Sequence, residues 1–182
     1  MRCAACGAEV DASDGLRFTC PRASADDGVD HLLIPVPREG APWPDSDELN
    51  PFLRYRTLLF PYRFARGLGL SDEGYCELVV ELDDAIAEVD GAGFRETPLR
   101  KMEELGADVW VKDETRHVGG SHKARHLMGV MIALLALDRI RGREEALPRL
   151  AIASCGNAAL AAAVIARAAP VSYTHLTLPT KA

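Results

Sequence analysis

From residue 50 onward the apolar positions follow two periods in turn. Phe52, Tyr55, Leu58 and Leu59 recur at helical spacing, with Asn50 and Pro51 suited to the N-cap and first helical position and Pro61 expected to stop the run. Between Ser71 and Gly91, Leu78, Leu82, Ala85, Ile86 and Val89 share one face while Glu81, Asp83, Asp84 and Glu88 lie off it. That spacing predicts an amphipathic helix with a solvated acidic side, ending near Gly91. After Gly91-Ala92-Gly93, residues 107–112 alternate as a strand does. Ser121 opens a long helix whose section 127–137 is apolar on every side, so burial from several directions is expected. Leu150–Ala153 reads as a short strand and 157–169 as an Ala-rich helix charged only at Arg167. Strand, helix, strand, helix predicts an α/β fold with a parallel sheet and flanking helices.

The first 35 residues have a different character. Cys3-Ala4-Ala5-Cys6-Gly7, a strand-like stretch at 16–19 and Cys20-Pro21 suggest a small zinc-ribbon-like unit over 1–35. Cys3 and Cys6 have knuckle spacing and Cys20-Pro21 resembles the start of a second knuckle, but Ala23 stands where a fourth cysteine should follow. Cys3, Cys6 and Cys20 are therefore the candidate metal ligands, with His31 or Asp26 completing the set if the loop folds back; a degenerate ribbon is the alternative. Pro35, Pro37, Pro42 and Pro44, with Gly40, make 36–50 an extended linker in which no helix propagates. The α/β domain then occupies 51–170. At Pro170 the style breaks: residues 171–182 carry one charge, Lys181, and read as a sequencing adapter translated in frame, with a short exposed β-segment as the alternative. On that reading the native chain continues past residue 170, and the 182-residue piece is expected to be poorly active and, with unpaired edge strands, poorly soluble.

Composition narrows the function. At 48% hydrophobic and 26% charged, the chain is that of an ordinary folded domain. Lys and Arg total 21 against 27 Asp and Glu, a net charge of −6, and no basic stripe is interleaved with aromatics, which disfavours nucleic-acid binding. The apolar run 127–137 is far short of the roughly 20 residues that span a bilayer, and Met1-Arg2-Cys3 leads into no apolar signal region. No membrane partner is expected. Five cysteines, at 3, 6, 20, 76 and 155, favour metal binding or reduced thiols over a disulfide framework, and hence a cytoplasmic address; Cys76 reads as a packed thiol.

Two turns join a strand to the start of a helix, where open α/β sheets bind ligands and free backbone N–H groups face anions. The first runs from Lys112 to His126 and contains Gly119-Gly120-Ser121-His122-Lys123. A lysine in a first helical turn sits near the positive end of the macrodipole, which makes its neutral, nucleophilic amine more accessible, although a solvated surface charge is the ordinary role. The second is Ser154-Cys155-Gly156-Asn157, in which Gly156 permits close backbone approach and Asn157 can donate from its amide and cap the helix. A plain helix cap with Cys155 packed as a small apolar residue is the bland reading.

Thr97-Pro98-Leu99, Val111-Lys112-Asp113-Glu114, Gly120-Ser121-His122-Lys123-Ala124-Arg125 and Ser154-Cys155-Gly156-Asn157-Ala158-Ala159 together resemble the threonine synthase-like branch of pyridoxal-phosphate enzymes, the tryptophan synthase β superfamily or fold type II. The likeness runs from about residue 94 to 169, and the Cys-x-x-Cys-Gly start is similar to that of several threonine synthases. The resemblance implies a partial fold type II domain and a lyase of amino-acid metabolism, performing β/γ-elimination or replacement on a small amino-acid substrate. It implies that Lys123 is catalytic and joins the cofactor aldehyde, that Asn157 binds the cofactor's 3′-oxygen, and that Ser154, Cys155 and Gly156 receive the substrate carboxylate. Thr97 would shape the substrate entrance, and the full-length chain would be a homo-oligomer. His122 and Ala124 stand where the family has Phe or Tyr and then Asp, and Cys155 where Ser is commoner. His117, His122 and His126 are spare acid/base candidates, or simply packed and solvent-facing groups.

Two readings from other classes compete. One is a non-catalytic metal-ribbon interaction module on an α/β scaffold. The other is a hydrolase with Ser154 or Cys155 at a nucleophile elbow, disfavoured because Ala153 breaks the glycine pattern and no Asp-then-His order follows.

Overall fold

In a computed structural model of the chain, residues 1–11, 15–36, 40–142, 149–169, 171 and 173–176 are described. In chain order the elements are β1 (Arg2–Cys3), β2 (Leu33–Ile34), α1 (Pro51–Arg54), α2 (Phe60–Gly67), α3 (Asp72–Asp90), β3 (Leu99–Lys101), β4 (Trp110–Lys112), α4 (Lys123–Arg141), β5 (Leu150–Ala153), α5 (Asn157–Ala168) and β6 (Tyr173–Leu176). No helix among the described residues is long and apolar enough to cross a membrane.

The core is helical. Leu78, Val79, Leu82 and Ile86 of α3, Met128, Met131, Ile132 and Ala136 of α4, and Ala161, Val164 and Ile165 of α5 form one buried cluster with Phe52 and Phe94. α4 packs on α2, α3 and α5, as its all-round apolar section requires. Capping sets the ends of α3: the Ser71 hydroxyl accepts from the Gly74 N–H at 2.9 Å, and Gly91 takes the left-handed conformation at φ 84°. Two positions differ from the expected faces. Val89 is exposed, and Asp83 is buried, accepting from the Phe94 N–H at 2.6 Å and from Arg95 Nη1 at 2.8 Å. A carboxylate can be buried when donors fill its lone pairs, and Asp83 thereby fixes the chain leaving α3. Gly93 is required there, because a Cβ would fall 2.6 Å from Asp83 Oδ2.

The first helix expected from the sequence is divided. Asn50 caps α1 through its bond from the Phe52 N–H at 2.8 Å, but α1 spans four residues and a 3₁₀ turn follows over Arg56–Leu58. Pro61 does not stop a helix; it lies in the first turn of α2, where its missing N–H costs nothing. Residues 16–19 form no strand. The strands of the N-terminal unit are β1 and β2, antiparallel with Cys3 opposite Leu33.

A single parallel sheet is not what forms among the described residues. β3 and β4 pair antiparallel, Leu99 opposite Lys112, because the short link of 102–109 makes a hairpin and is too short for a crossover. The parallel pair is β5 with β6, Leu150 opposite Tyr173. The described part of the segment that follows the break at Pro170 thus supplies a strand; Pro170, Ser172 and 177–182 lie outside the described residues, as does Pro37 of the linker. The architecture is a mixed α/β one in which helices carry the packing and two strand-to-helix turns lead into α4 and α5.

Candidate functional site

Lys123 is the first residue of α4 and its side chain is exposed. The 3₁₀ turn Val118–Gly120 that delivers it holds Gly119 at φ 63° and Gly120 at φ 67°, conformations that favour glycine. The Gly119 N–H donates to Asp90 Oδ2 at 3.1 Å, at the end of α3, and a Cβ on Gly119 would stand 3.4 Å from the Ala161 Cα of α5. The lysine's turn is therefore pinned between two helices. Buried Ser121 adds a long bond, its Oγ accepting from the Lys123 N–H at 3.4 Å.

Three residues of the quoted motifs hold this turn from behind. The buried Thr97 hydroxyl donates to Glu114 Oε1 at 2.7 Å and accepts from Arg125 Nη2 at 3.1 Å. Arg125 Nε donates to Glu114 Oε2 at 3.2 Å, closing the cluster, and the Lys112 ammonium donates to the Thr97 carbonyl. Burial pushes the Glu114 carboxyl up, but the Thr97 and Arg125 donors outweigh it and leave it below the usual carboxylate value. Two residues past Lys123, Arg125 thus anchors the first turn of α4 to the hairpin. Sequence reasoning quoted Glu114 and Arg125 without assigning them a role; their opposite charges were the available signal.

The second turn follows β5. Cys155, Gly156 and Asn157 are exposed and Ser154 is half-buried. Gly156 occupies the N-cap position of α5 and Asn157 is its first residue, so Asn157 does not cap the helix. Nothing lies within 4 Å of where a Gly156 Cβ would be, the Gly156 N–H donates to Ser154 Oγ at 3.4 Å, and the first turn of α5 begins here. Ala161, against which Gly119 sits, is about one helical turn from Asn157. The glycine turn before α4 therefore packs on α5, about one helical turn from where the second turn opens that helix.

The histidines separate. His122 and His126 are exposed; His117 is 6% exposed, its ring edge-on to Phe94 at 5.0 Å, and neither ring nitrogen has a hydrogen-bond partner among the described residues. Burial, with the Arg125 charge second, holds its pKa below the ordinary histidine value. An apolar cavity of about 370 Å³ adjoins the start of α4, lined by Met1, Phe18 and Leu33 of the N-terminal unit, Phe60 of α2, and Arg125 and His126.

In the N-terminal unit, Cys3, Cys6, Cys20 and His31 gather with their ligand atoms all within 4.8 Å of one another. Asp26, the other residue offered as a fourth ligand, is exposed and outside this group.

The profile of a protein family described as "Pyridoxal-phosphate dependent enzyme" matches residues 92–182. No curated protein and no solved structure gives a match.

Proposed function

We propose a lyase of the threonine synthase type, proceeding from the fact that this chain belongs to the pyridoxal-phosphate dependent enzymes. The residues present fit that cofactor: an exposed primary amine after a glycine turn that packs on α5, and at the start of that same helix an N-terminus open at Gly156 where a polar group can reach backbone donors. Lys123 would anchor the cofactor, Asn157 would donate its side-chain amide to the 3′-oxygen, and the Ser154, Cys155 and Gly156 turn would receive the substrate carboxylate. When bound, pyridoxal phosphate supplies an electron sink for charge developing at the substrate α-carbon.

The chain's own residues do the rest. Lys123 Nζ would take and return the α-proton, and the Thr97, Glu114 and Arg125 cluster holds the start of its helix. The substrate is a small amino acid that undergoes elimination or replacement at its β- or γ-carbon. A cytoplasmic setting, in which thiols stay reduced, goes with this reading. What supports it most is the packing of the lysine's glycine turn, through Gly119 and Ala161, on the helix that the second turn opens.

The test is chemical trapping. The chain mixed with pyridoxal phosphate and reduced with borohydride should carry a pyridoxyl group on the peptide containing Lys123, and the Lys123→Ala variant should carry none there. A label spread over surface lysines, unchanged by that variant, would overturn the assignment. The metal-ribbon reading, a non-catalytic module, would be favoured by the absence of a pyridoxyl group on that peptide.

A further inference from the structure

We propose that Cys3, Cys6, Cys20 and His31 form a structural zinc site, with Asp27 as the carboxylate that orients the histidine. Pairing of β1 with β2 is what supplies the fourth ligand. It sets Cys3 opposite Leu33, the Ala4 N–H donates to the Leu32 carbonyl at 2.8 Å, and His31 is folded back onto the first knuckle. His31, eight residues further on, thus takes the place of the cysteine absent at Ala23.

Two of the separations equal those a metal would set, and all lie within 4.8 Å. A tetrahedral zinc with bonds of about 2.3 Å to sulfur and 2.0 Å to nitrogen sets neighbouring ligand atoms about 3.5 to 3.8 Å apart. Cys3 Sγ lies 3.5 Å from His31 Nδ1, and Cys6 Sγ lies 3.6 Å from Cys20 Sγ. Three thiolates and an imidazole suit zinc and reject calcium or magnesium, which take oxygen. The outer groups are also in place: His31 Nε2 meets Asp27 Oδ2 at 3.0 Å, which leaves Nδ1 unprotonated toward the sulfurs, and Asp27 Oδ1 accepts from the Val29 N–H at 3.0 Å. The Arg22 N–H points at Cys20 Sγ at 3.4 Å.

A second observation is independent of ligand geometry. The hydrophobic cluster of this unit consists of Cys3, Ala8 and Cys20, with Cys6 and Leu33 at its edge, so its core is largely the ligands themselves. A unit this small does not bury enough apolar surface to hold its shape without a staple. On binding, the thiol protons of Cys3, Cys6 and Cys20 leave to solvent and zinc forms four bonds in place of its waters. The metal would thereby fix Met1 and Leu33 as walls of the cavity that reaches Arg125 and His126.

The experiment is metal analysis of the 182-residue chain followed by cobalt substitution. Expected are about one zinc per chain and, with cobalt, tetrahedral visible bands with thiolate charge transfer. Cys20→Ser and His31→Ala should lose these bands, His31→Cys should restore them, and Asp27→Ala should weaken affinity by about 10- to 100-fold. Asp26→Ala should change nothing. Helical circular dichroism of each variant separates loss of the site from loss of the fold. Wild-type zinc no higher than in Cys20→Ser, an octahedral cobalt spectrum, or a Cys6 to Cys20 disulfide that persists without metal would each overturn the proposal.

Discussion

His117 shows how a single residue can set a pH response. It sits among Phe94, Glu114 and Arg125, and burial with the nearby guanidinium holds it neutral in the folded chain. The unfolded chain takes up a proton near the ordinary value of 6.5, whereas the folded chain does so only at lower pH. The unfolded state therefore binds more protons across that interval, and stability falls as pH drops below about 6.5. Glu114 and Asp72 have lowered carboxyl values, Asp72 chiefly through its bonds from Arg56, and their contribution is lost further down, below their ordinary values of 4.5 and 3.8. Urea midpoints measured between pH 7 and 5 should fall for the wild type and stay flatter for His117→Phe. Parallel curves for the two proteins would show that this ring does not carry the response. The three histidines looked equivalent in the sequence; what separates His117 is the ring of Phe94, more than 20 positions away, which no local pattern reveals.

At the scale of elements, the most consequential contact is the approach of the glycine turn to α5. Gly119→Ala would place a Cβ 3.4 Å from the Ala161 Cα and force a side chain into φ 63°, so destabilisation of about 1 to 3 kcal/mol is expected. Thermal unfolding measures it, and a loss no greater than that of an exposed helical substitution such as Ala163→Gly would refute the clamp. A core counterpart is Tyr75, fully buried in α3 and edge-on to Tyr62 at 4.9 Å, whose hydroxyl has no partner among the described residues. Tyr75→Phe removes that buried oxygen, so the variant should be at least as stable as the wild type, by up to about 1 to 3 kcal/mol. A clear loss in chemical denaturation would mean the hydroxyl is satisfied in solution. Apolar spacing made α3 and α5 legible, and Ser71 and Gly91 bounded α3, because these signals act within the helix itself; the cap of α5 was misread at Asn157. The break at Tyr55 and the start of α2 at Phe60 were not legible, since a proline such as Pro61 suits a first turn as well as a stop. The burial of Asp83 was equally hidden: its partners lie beyond the end of the helix whose polar side it shares.

For the whole molecule, the division of labour between helices and strands decides which parts open first. The motifs located the two turns because their chemistry is local, but the sheet pairing depends on which strands meet, and β4 meets β3 rather than β5. The β3 and β4 hairpin is exposed along its length, with Leu99 at 59% and Trp110 at 57% exposure, and is tied down at one end by the Lys112 to Thr97 bond and by the Asp113 N–H to Pro98 carbonyl bond at 2.9 Å. α4, by contrast, buries Met128, Ile132 and Ala136 completely. Regions with little buried apolar surface open with low free energy, whereas core helices exchange only in larger openings. Hydrogen exchange should therefore be fast at 99–112 and slowest at 128–136, with protection at 113–123 between them because Glu114 and Arg125 anchor that stretch to α4. In Glu114→Gln the intermediate protection should fall toward that of the hairpin while 128–136 stays slow. Uniform exchange across these segments, or a Glu114→Gln profile indistinguishable from wild type, would mean that the cluster behind Lys123 does not couple its turn to the helical core.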